Sequence, residues 1–277
     1  MQDELGDRMK EQYENRTRIS LPRRTYTIIR LDGKAFHTYT RGLNKPFDTD
    51  LYADMDTAII AMMCEVQGVR FAYTQSDEIS LLLTDFALPT TSAWFDGNLQ
   101  KMVSVAASII TAEFNLQRYS RAMAIRERLK LNNENVRVIR NLAYFDGRAF
   151  TIPDRIEVMN YFIHRNQDCS RNSVSMVAQS KFSHKQLNGK STSEMQEMLM
   201  KDADVNWSYY PDELKNGRLI VKEEYVTQYG GEVPLPEGLL CQKDVVRTRW
   251  VSKPAWKFTQ DKERLLAMIP KYEQELS

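Results

Sequence analysis

Between Tyr26 and Ile152 the chain alternates two apolar rhythms in one order, and that order leaves few folds open. Tyr26-Thr-Ile-Ile-Arg-Leu31 is β-branched, lies between Pro22 and Gly33, and reads as a strand. Residues 50–66 place Leu51, Met55, Ala58, Ile59, Met62 and Val66 at helical spacing, and Gly68 ends that helix. Val69–Thr74 and Ile79–Leu83 read as two strands around a tight connection, Gln75-Ser76-Asp77-Glu78. A second helix over about 98–118 carries Leu99, Met102, Val103, Ala106, Ile109, Ile110 and Phe114 on one side. Leu142–Ile152 is a further strand, expected to be interrupted at Asp146-Gly147. The order β-α-β-β-α-β is the split βαβ, ferredoxin-like pattern, and the fold class is α+β.

Outside this core the signals are weaker. Residues 2–16 are polar and suit a short surface helix, and 118–140 are basic and read as partly irregular. Beyond Pro153, residues 154–180 read as helix, and 191–203 as a helix opened by a Ser/Thr cap with Glu194. Residues 206–227 suggest a hairpin with Asn216-Gly217 at its turn, and 229–240, rich in Gly and Pro, a loop. A soft boundary is expected near 153, dividing 1–153 from a C-terminal helical and hairpin extension over 154–277.

Composition narrows the function classes. The chain has 277 residues, 42% hydrophobic, enough for a sizeable core. With 38 basic against 37 acidic residues, any surface for nucleic acid must be a local one. Cys64, Cys169 and Cys241 are scattered and form no Cys-x-x-Cys pair, which argues against a structural zinc site or a disulfide framework and suits a reducing, cytoplasmic setting. The N-terminal MQDELGDRMK is not secretory in character, and no run of about 18 apolar residues suggests a membrane span.

The topology gives two aspartates a reason to meet. In a ferredoxin-like sheet the first and third strands are adjacent and antiparallel, so the end of one lies beside the start of the other. Asp32 holds the first place and Asp77 the second. Converging carboxylates repel unless something neutralises them, and divalent metal does so. Two Mg²⁺ about 4 Å apart form the clamp used for in-line phosphoryl transfer. Gly33, lacking a side chain, lets backbone approach an ion or phosphate closely. Glu78 is a possible third catalytic carboxylate, although strand alternation turns it away from Asp77. Each aspartate alone is more readily an ordinary turn residue; the joint placement is what carries the argument.

Arg30-Leu-Asp-Gly-Lys-Ala-Phe-His37, Tyr73-Thr-Gln-Ser-Asp-Glu78 and Phe145-Asp-Gly-Arg148 resemble, in order and separation, the tRNA-histidine guanylyltransferase family. The resemblance covers about residues 1–180. It implies a polymerase- and cyclase-like palm that adds nucleotides in the 3′-to-5′ direction at the 5′ end of tRNA. It implies two Mg²⁺ held by Asp32, the Gly33 carbonyl and Asp77, with GTP or ATP as substrates. Asp32, Gly33, Lys34, Ala35, Phe36, His37, Ser76 and Asp77 would then line a nucleoside triphosphate. Lys45 and Lys101 match basic residues of the family, although Lys45 could equally be a solvated loop lysine and Lys101 the polar face of its helix. His37 could equally be a satisfied histidine behind the strand end, and Asp48 reads as a helix cap.

Arg148, Arg118, Arg121, Arg126, Arg128 and Lys130, with Arg137 and Arg140, are candidates for RNA phosphate, or alternatively a solvated helical face or structural ion pairs. The segment Lys243–Lys257 interleaves Arg247, Arg249 and Lys253 with Trp250 and Trp256, which suits either RNA stacking or core anchoring.

The departures are informative. Where tRNA-histidine-specific members carry His-Ile-Asn-Asn, this chain has Asp168-Cys-Ser-Arg-Asn-Ser-Val174. Ala178–Ser183 and Leu187–Ser191 resemble the bacterial, archaeal and phage like-protein branch. Before Lys101, where eukaryotic members are basic, stands Trp94-Phe-Asp-Gly-Asn98. Template-dependent repair of 5′-truncated tRNA is therefore the expected activity, by a homotetramer in the family's manner. A guanylyltransferase specific for tRNA-histidine, a nucleotidyl cyclase on the same palm, and a non-catalytic tRNA-binding module are the alternatives.

Overall fold

The computed structural model describes residues 4–130, 141–228 and 244–272. The expected loop at 229–240, Arg137, Arg140 and Cys241 lie outside the described residues. The chain opens with α1 (Glu4–Met9) and two short helical turns to Thr17. Then follow β1 (Tyr26–Gly33), α2 (Phe36–Tyr39), α3 (Thr49–Glu65), β2 (Val69–Gln75), β3 (Glu78–Thr84), α4 (Leu99–Leu129) and β4 (Phe145–Ile152). The remainder is α5 (Arg155–Gln179), α6 (His184–Leu187), α7 (Thr192–Ala203), α8 (Asp212–Lys215), β5 (Arg218–Gln228), β6 (Asp244–Pro254) and α9 (Lys262–Met268). No helix among the described residues is long and apolar enough to cross a membrane.

One antiparallel sheet of order β4-β1-β3-β2-β5-β6 forms the middle layer. Its first four strands stand in the order that the β-α-β-β-α-β succession predicts. Both faces are covered. Ile29, Leu31, Ala72, Ile79, Leu81 and Leu83 pack with α3 and α4 on one side. Tyr26, Ile28, Phe71, Tyr73 and Leu82 pack with α5 and α9 on the other. This double burial explains why β2 and β3 are nearly continuous apolar runs rather than alternating ones.

Caps set the helix starts. Asp48 Oδ1 accepts from the Leu51 N–H at 2.8 Å, Asn98 from Lys101 at 3.1 Å, and Asp154 from Ile156 and Glu157 at 2.8 and 3.0 Å. Ser191 and Glu194 close a reciprocal capping box on α7.

Three expectations are corrected. The helix predicted over 98–118 runs on to Leu129, because Arg118 and Arg121 anchor its second half to Asp54 and Asp50 of α3. Asp146-Gly147 does not interrupt its strand; both pair in register with Asp32 and Leu31 of β1. A glycine fits there because a Cβ at residue 147 would lie 2.8 Å from Leu31 Cδ2. Gly217 of Asn216-Gly217 stands at positive φ, but the pair joins α8 to β5, and the hairpin is β5–β6, pairing Arg218 with Pro254 through Gln228 with Asp244. Asn-Gly serves any bend needing positive φ, so the motif alone did not specify what it joins. Through Ala72–Ile220, Tyr73–Leu219 and Thr74–Arg218 the hairpin extends the sheet, so sheet and core run across residue 153.

Candidate active site

The register of β1 on β3 ends with Leu31 opposite Ile79, which leaves Asp32 at the end of β1 next to the β2–β3 turn that carries Asp77. Ser76 holds that turn at φ +50, an uncommon conformation for a residue with a side chain and one that clusters at functional sites. Gly33 completes the junction. A Cβ there would collide with the Phe36 ring and lie 2.9 Å from Asp77 Oδ2. Burial pushes the Asp77 carboxyl up to about 6, the charge of Asp32 adds to the rise, and a hydrogen bond from Ser76 opposes it. The two carboxylates thus share one field, as the topology predicted.

Two cavities abut at this junction. The larger, about 590 Å³, is lined by Gly33, Ala35, Phe36, His37, Lys45, Ser76 and Asp77 among the expected nucleotide contacts. The smaller, about 130 Å³, is lined by Asp32, Ser76, Asp77 and Glu78. Phe36 is also a packing anchor, with its ring centroid 4.9 Å from that of Tyr39 and 5.8 Å from those of Phe114 and Phe145. Lys34 and Lys101 line neither cavity. Lys34 is exposed and donates its backbone N–H to Tyr144, and the Lys101 ammonium lies 5.9 Å from the Phe95 ring centroid.

The donor chemistry suits a hard divalent cation. Asp32, Asp77 and the open backbone of Gly33 offer only oxygen, and Mg²⁺ takes one or two carboxylates with substrate phosphates completing its shell. Among the described residues no group of three or more His, Cys, Asp or Glu side chains is placed to hold a metal by itself. The site fits an ion that arrives with nucleotide.

Glu78, the possible third catalytic carboxylate, lines the smaller cavity with Asp32 and Asp77 and is also held by two arginines. It faces α5, its Oε2 is 2.7 Å from Arg30 and 3.1 Å from Arg165, and its side chain is 12% exposed. Arg165 in turn pairs with Asp168. The two guanidiniums fix the Glu78 carboxylate at the edge of that cavity.

The expected RNA contacts also divide. Arg118 is buried against Asp54 at 2.9 Å, and Arg121 is held by Asp50 and Asp54, so both are corrected to intramolecular partners. Arg128 and Lys130 are exposed at the end of α4, and Arg126 is half-buried. Arg148 is exposed, 3.9 Å from Asp146. Trp250 and Trp256 pack partly buried against the two core clusters.

Sequence reasoning missed several residues. Arg41, Asn44, Gln179 and Ser180 line the larger cavity, and Asn172, Ser173 and Arg218 the smaller. They come from a loop after α2, from α5 and from the start of β5, and no spacing rule links them. Asp146, the register partner of Asp32, had a signal in the Phe145–Arg148 motif, whose aspartate carried no role.

With this geometry in hand, comparisons with known proteins are specific. The family model described as tRNAHis guanylyltransferase (Thg1) matches residues 6–153. A solved bacterial tRNA(His) guanylyltransferase (Thg1)-like protein in complex with ATP is 39% identical, covers 96% of this chain and 99% of its own, and superposes with a TM-score of 0.78. A bacterial Thg1-like protein in complex with GTP is 37% identical over 96% of this chain and 99% of its own, with a TM-score of 0.72. The tRNA(His) guanylyltransferase of Debaryomyces hansenii is 28% identical over 76% of this chain and 78% of its own length.

Proposed function

Since this chain belongs to the tRNA(His) guanylyltransferase family, whose members are nucleotidyltransferases, we propose that it adds nucleotides in the 3′-to-5′ direction to the 5′ end of tRNA, directed by a template base. The observation that carries the chemistry is the meeting of Asp32 and Asp77 between two cavities. The relatives solved with ATP and with GTP support nucleoside triphosphate in the larger one.

The reaction takes two displacements. In the first, an oxygen of the tRNA 5′-monophosphate attacks the α-phosphorus of ATP or GTP, and pyrophosphate leaves. In the second, the 3′-hydroxyl of an incoming nucleoside triphosphate attacks the activated 5′-phosphorus, and the nucleoside monophosphate leaves. A 5′-triphosphorylated RNA skips the first stage. Both stages need positioning and charge neutralisation more than a covalent nucleophile. Lys45 and His37 line the triphosphate cavity, where Lys45 supplies a compact positive charge. Ser76 lines both cavities beside Asp77. Asp32, Asp77 and the Gly33 carbonyl would hold two Mg²⁺, which when bound neutralise phosphate charge and lower the pKa of an attacking hydroxyl.

Exposed Arg128, Lys130 and Arg148 are the RNA phosphate contacts in this reading, joined by the region after residue 153, and the working unit is a homotetramer built as a dimer of dimers. The segment Asp168–Val174, without the tRNA-histidine motif, favours repair over a fixed guanylyltransferase. Incubating 5′-truncated and full-length tRNAs with single nucleoside triphosphates and Mg²⁺ tests this. Addition only opposite a complementary base is expected. Guanylate added whatever the opposing base would instead support the tRNA-histidine-specific activity of the curated relatives, and cyclic nucleotide formed without RNA a cyclase. Asp77→Ala should abolish both stages; undiminished addition would refute the assignment.

A further inference from the structure

We infer that Arg218 forms a receiving site for the 5′-phosphate of the RNA, on the far side of the aspartate pair from the nucleotide. This rests on the nucleotidyl-transfer reading above and names where the second substrate enters. An in-line displacement brings its nucleophile and leaving group to opposite sides of the phosphorus. Asp77 lines both cavities, whereas Gly33 lines only the larger and Asp32 only the smaller. With nucleotide in the larger, the smaller is the approach side. Its lining holds Asp32, Asp77, Glu78 and Glu213, and Arg218 is its one basic residue among those described.

The Arg218 side chain is only 6% exposed. Its Nε donates to both oxygens of Asp56, at 2.7 and 2.9 Å. Its Nη2 is buried and has no hydrogen-bond partner among the described residues. Three other arginines, Arg30, Arg118 and Arg165, carry a buried, unpaired Nε while a terminal nitrogen engages a carboxylate. Arg218 is the reverse: the inner nitrogen is held and a terminal one is free. A buried N–H without a partner is costly, and an arriving phosphate oxygen would satisfy it.

The residue is rigidly delivered. Arg218 pairs with Thr74 in β2, and Tyr73 Oη donates to the Asn216 carbonyl at 2.8 Å. The guanidinium carbon lies 4.7 Å from the Tyr52 ring centroid, and Tyr52 lines both cavities. Arg218 also lines a third cavity of about 370 Å³, formed by the start of α3, α8 and the base of the hairpin.

The test compares binding of a truncated tRNA carrying a 5′-monophosphate with the same RNA carrying a 5′-hydroxyl, alongside KM for ATP. The wild type should prefer the phosphorylated end at least tenfold, about the worth of one charge-assisted hydrogen bond. Arg218→Gln should erase that preference while leaving 5′-hydroxyl RNA binding and KM for ATP within twofold. Asp56→Asn, which removes the structural partner, should keep it. Should Arg218→Gln not fold, Arg218→Lys serves: one ammonium cannot serve Asp56 and a phosphate as the guanidinium does, and the preference should fall at least threefold. A folded Arg218 variant that keeps the preference overturns the inference. So does a tenfold rise in KM for ATP, which would assign the arginine to the nucleotide's phosphates. A wild type that adds nucleotides without preferring a 5′-phosphate sinks this inference alone, whereas a preference without any addition sinks the functional reading and spares the site.

Discussion

Asp77 carries a conflict imposed by its neighbours: it is buried, and Asp32 sets a second negative charge against it. The conflict is useful only when a cation resolves it. Asp77→Asn keeps the shape and removes the repulsion, so in chelator it should stabilise the fold by about 1–3 kcal/mol while abolishing nucleotide addition. Thermal melts beside a primer-labelled addition assay would read both, and a destabilised variant would count against the shared field. Gly33→Ala attacks the same junction through space rather than charge. Its methyl would collide with Phe36 and press on Asp77 Oδ2, so addition should fall at least tenfold, measured as kcat/KM for ATP.

At the scale of elements, α3 and α4 are joined by charges that a sequence scan reads as an RNA surface. Arg118 sits 9% exposed against Asp54, itself 5% exposed, whereas Arg128 is open to solvent. Arg118→Ala should cost about 3–5 kcal/mol by leaving Asp54 short of a buried partner. Arg128→Ala should leave urea unfolding unchanged and make tRNA binding less salt-dependent. The reverse pattern would return Arg118 to the RNA surface. The start of α7 offers a pH test. The Ser191 backbone and hydroxyl, with Lys190, hold the Glu194 carboxyl down at about 2, below its ordinary 4.5. A depressed acid contributes stability that is complete above 4.5 and is lost as pH falls through about 2. Amide protection, taken relative to the intrinsic exchange rate at each pH, should therefore fall in the first turn of α7 over that window in wild type and show no such step in Glu194→Gln.

For the whole molecule, the sheet is a frame whose two faces are packed and whose one end is left polar. If that end holds Mg²⁺, the ion together with ATP should raise the melting temperature of the wild type by several degrees and that of Asp77→Asn hardly at all, since a ligand stabilises only the form it binds. Equal shifts in the two proteins would place the ion elsewhere. The strand order and the Asp32–Asp77 meeting were legible in the chain because both follow from local pattern: β-branched runs, helical spacing, and a turn that puts Asp77 where β1 ends. Glu78 was half legible, since alternation turned it from Asp77 but could not show Arg30 and Arg165 waiting on the other face. The fate of the basic residues was not legible, because an arginine reads the same in sequence whether Asp54 or solvent lies opposite. Nor was Arg218, brought beside the aspartates only when a strand more than a hundred residues later pairs with β2. Sequence alone determined what short-range geometry dictates, the order of elements and the carboxylate pair at their junction. Tertiary structure decided which charges are spent on one another and which remain free for a substrate, because that depends on partners no local pattern names.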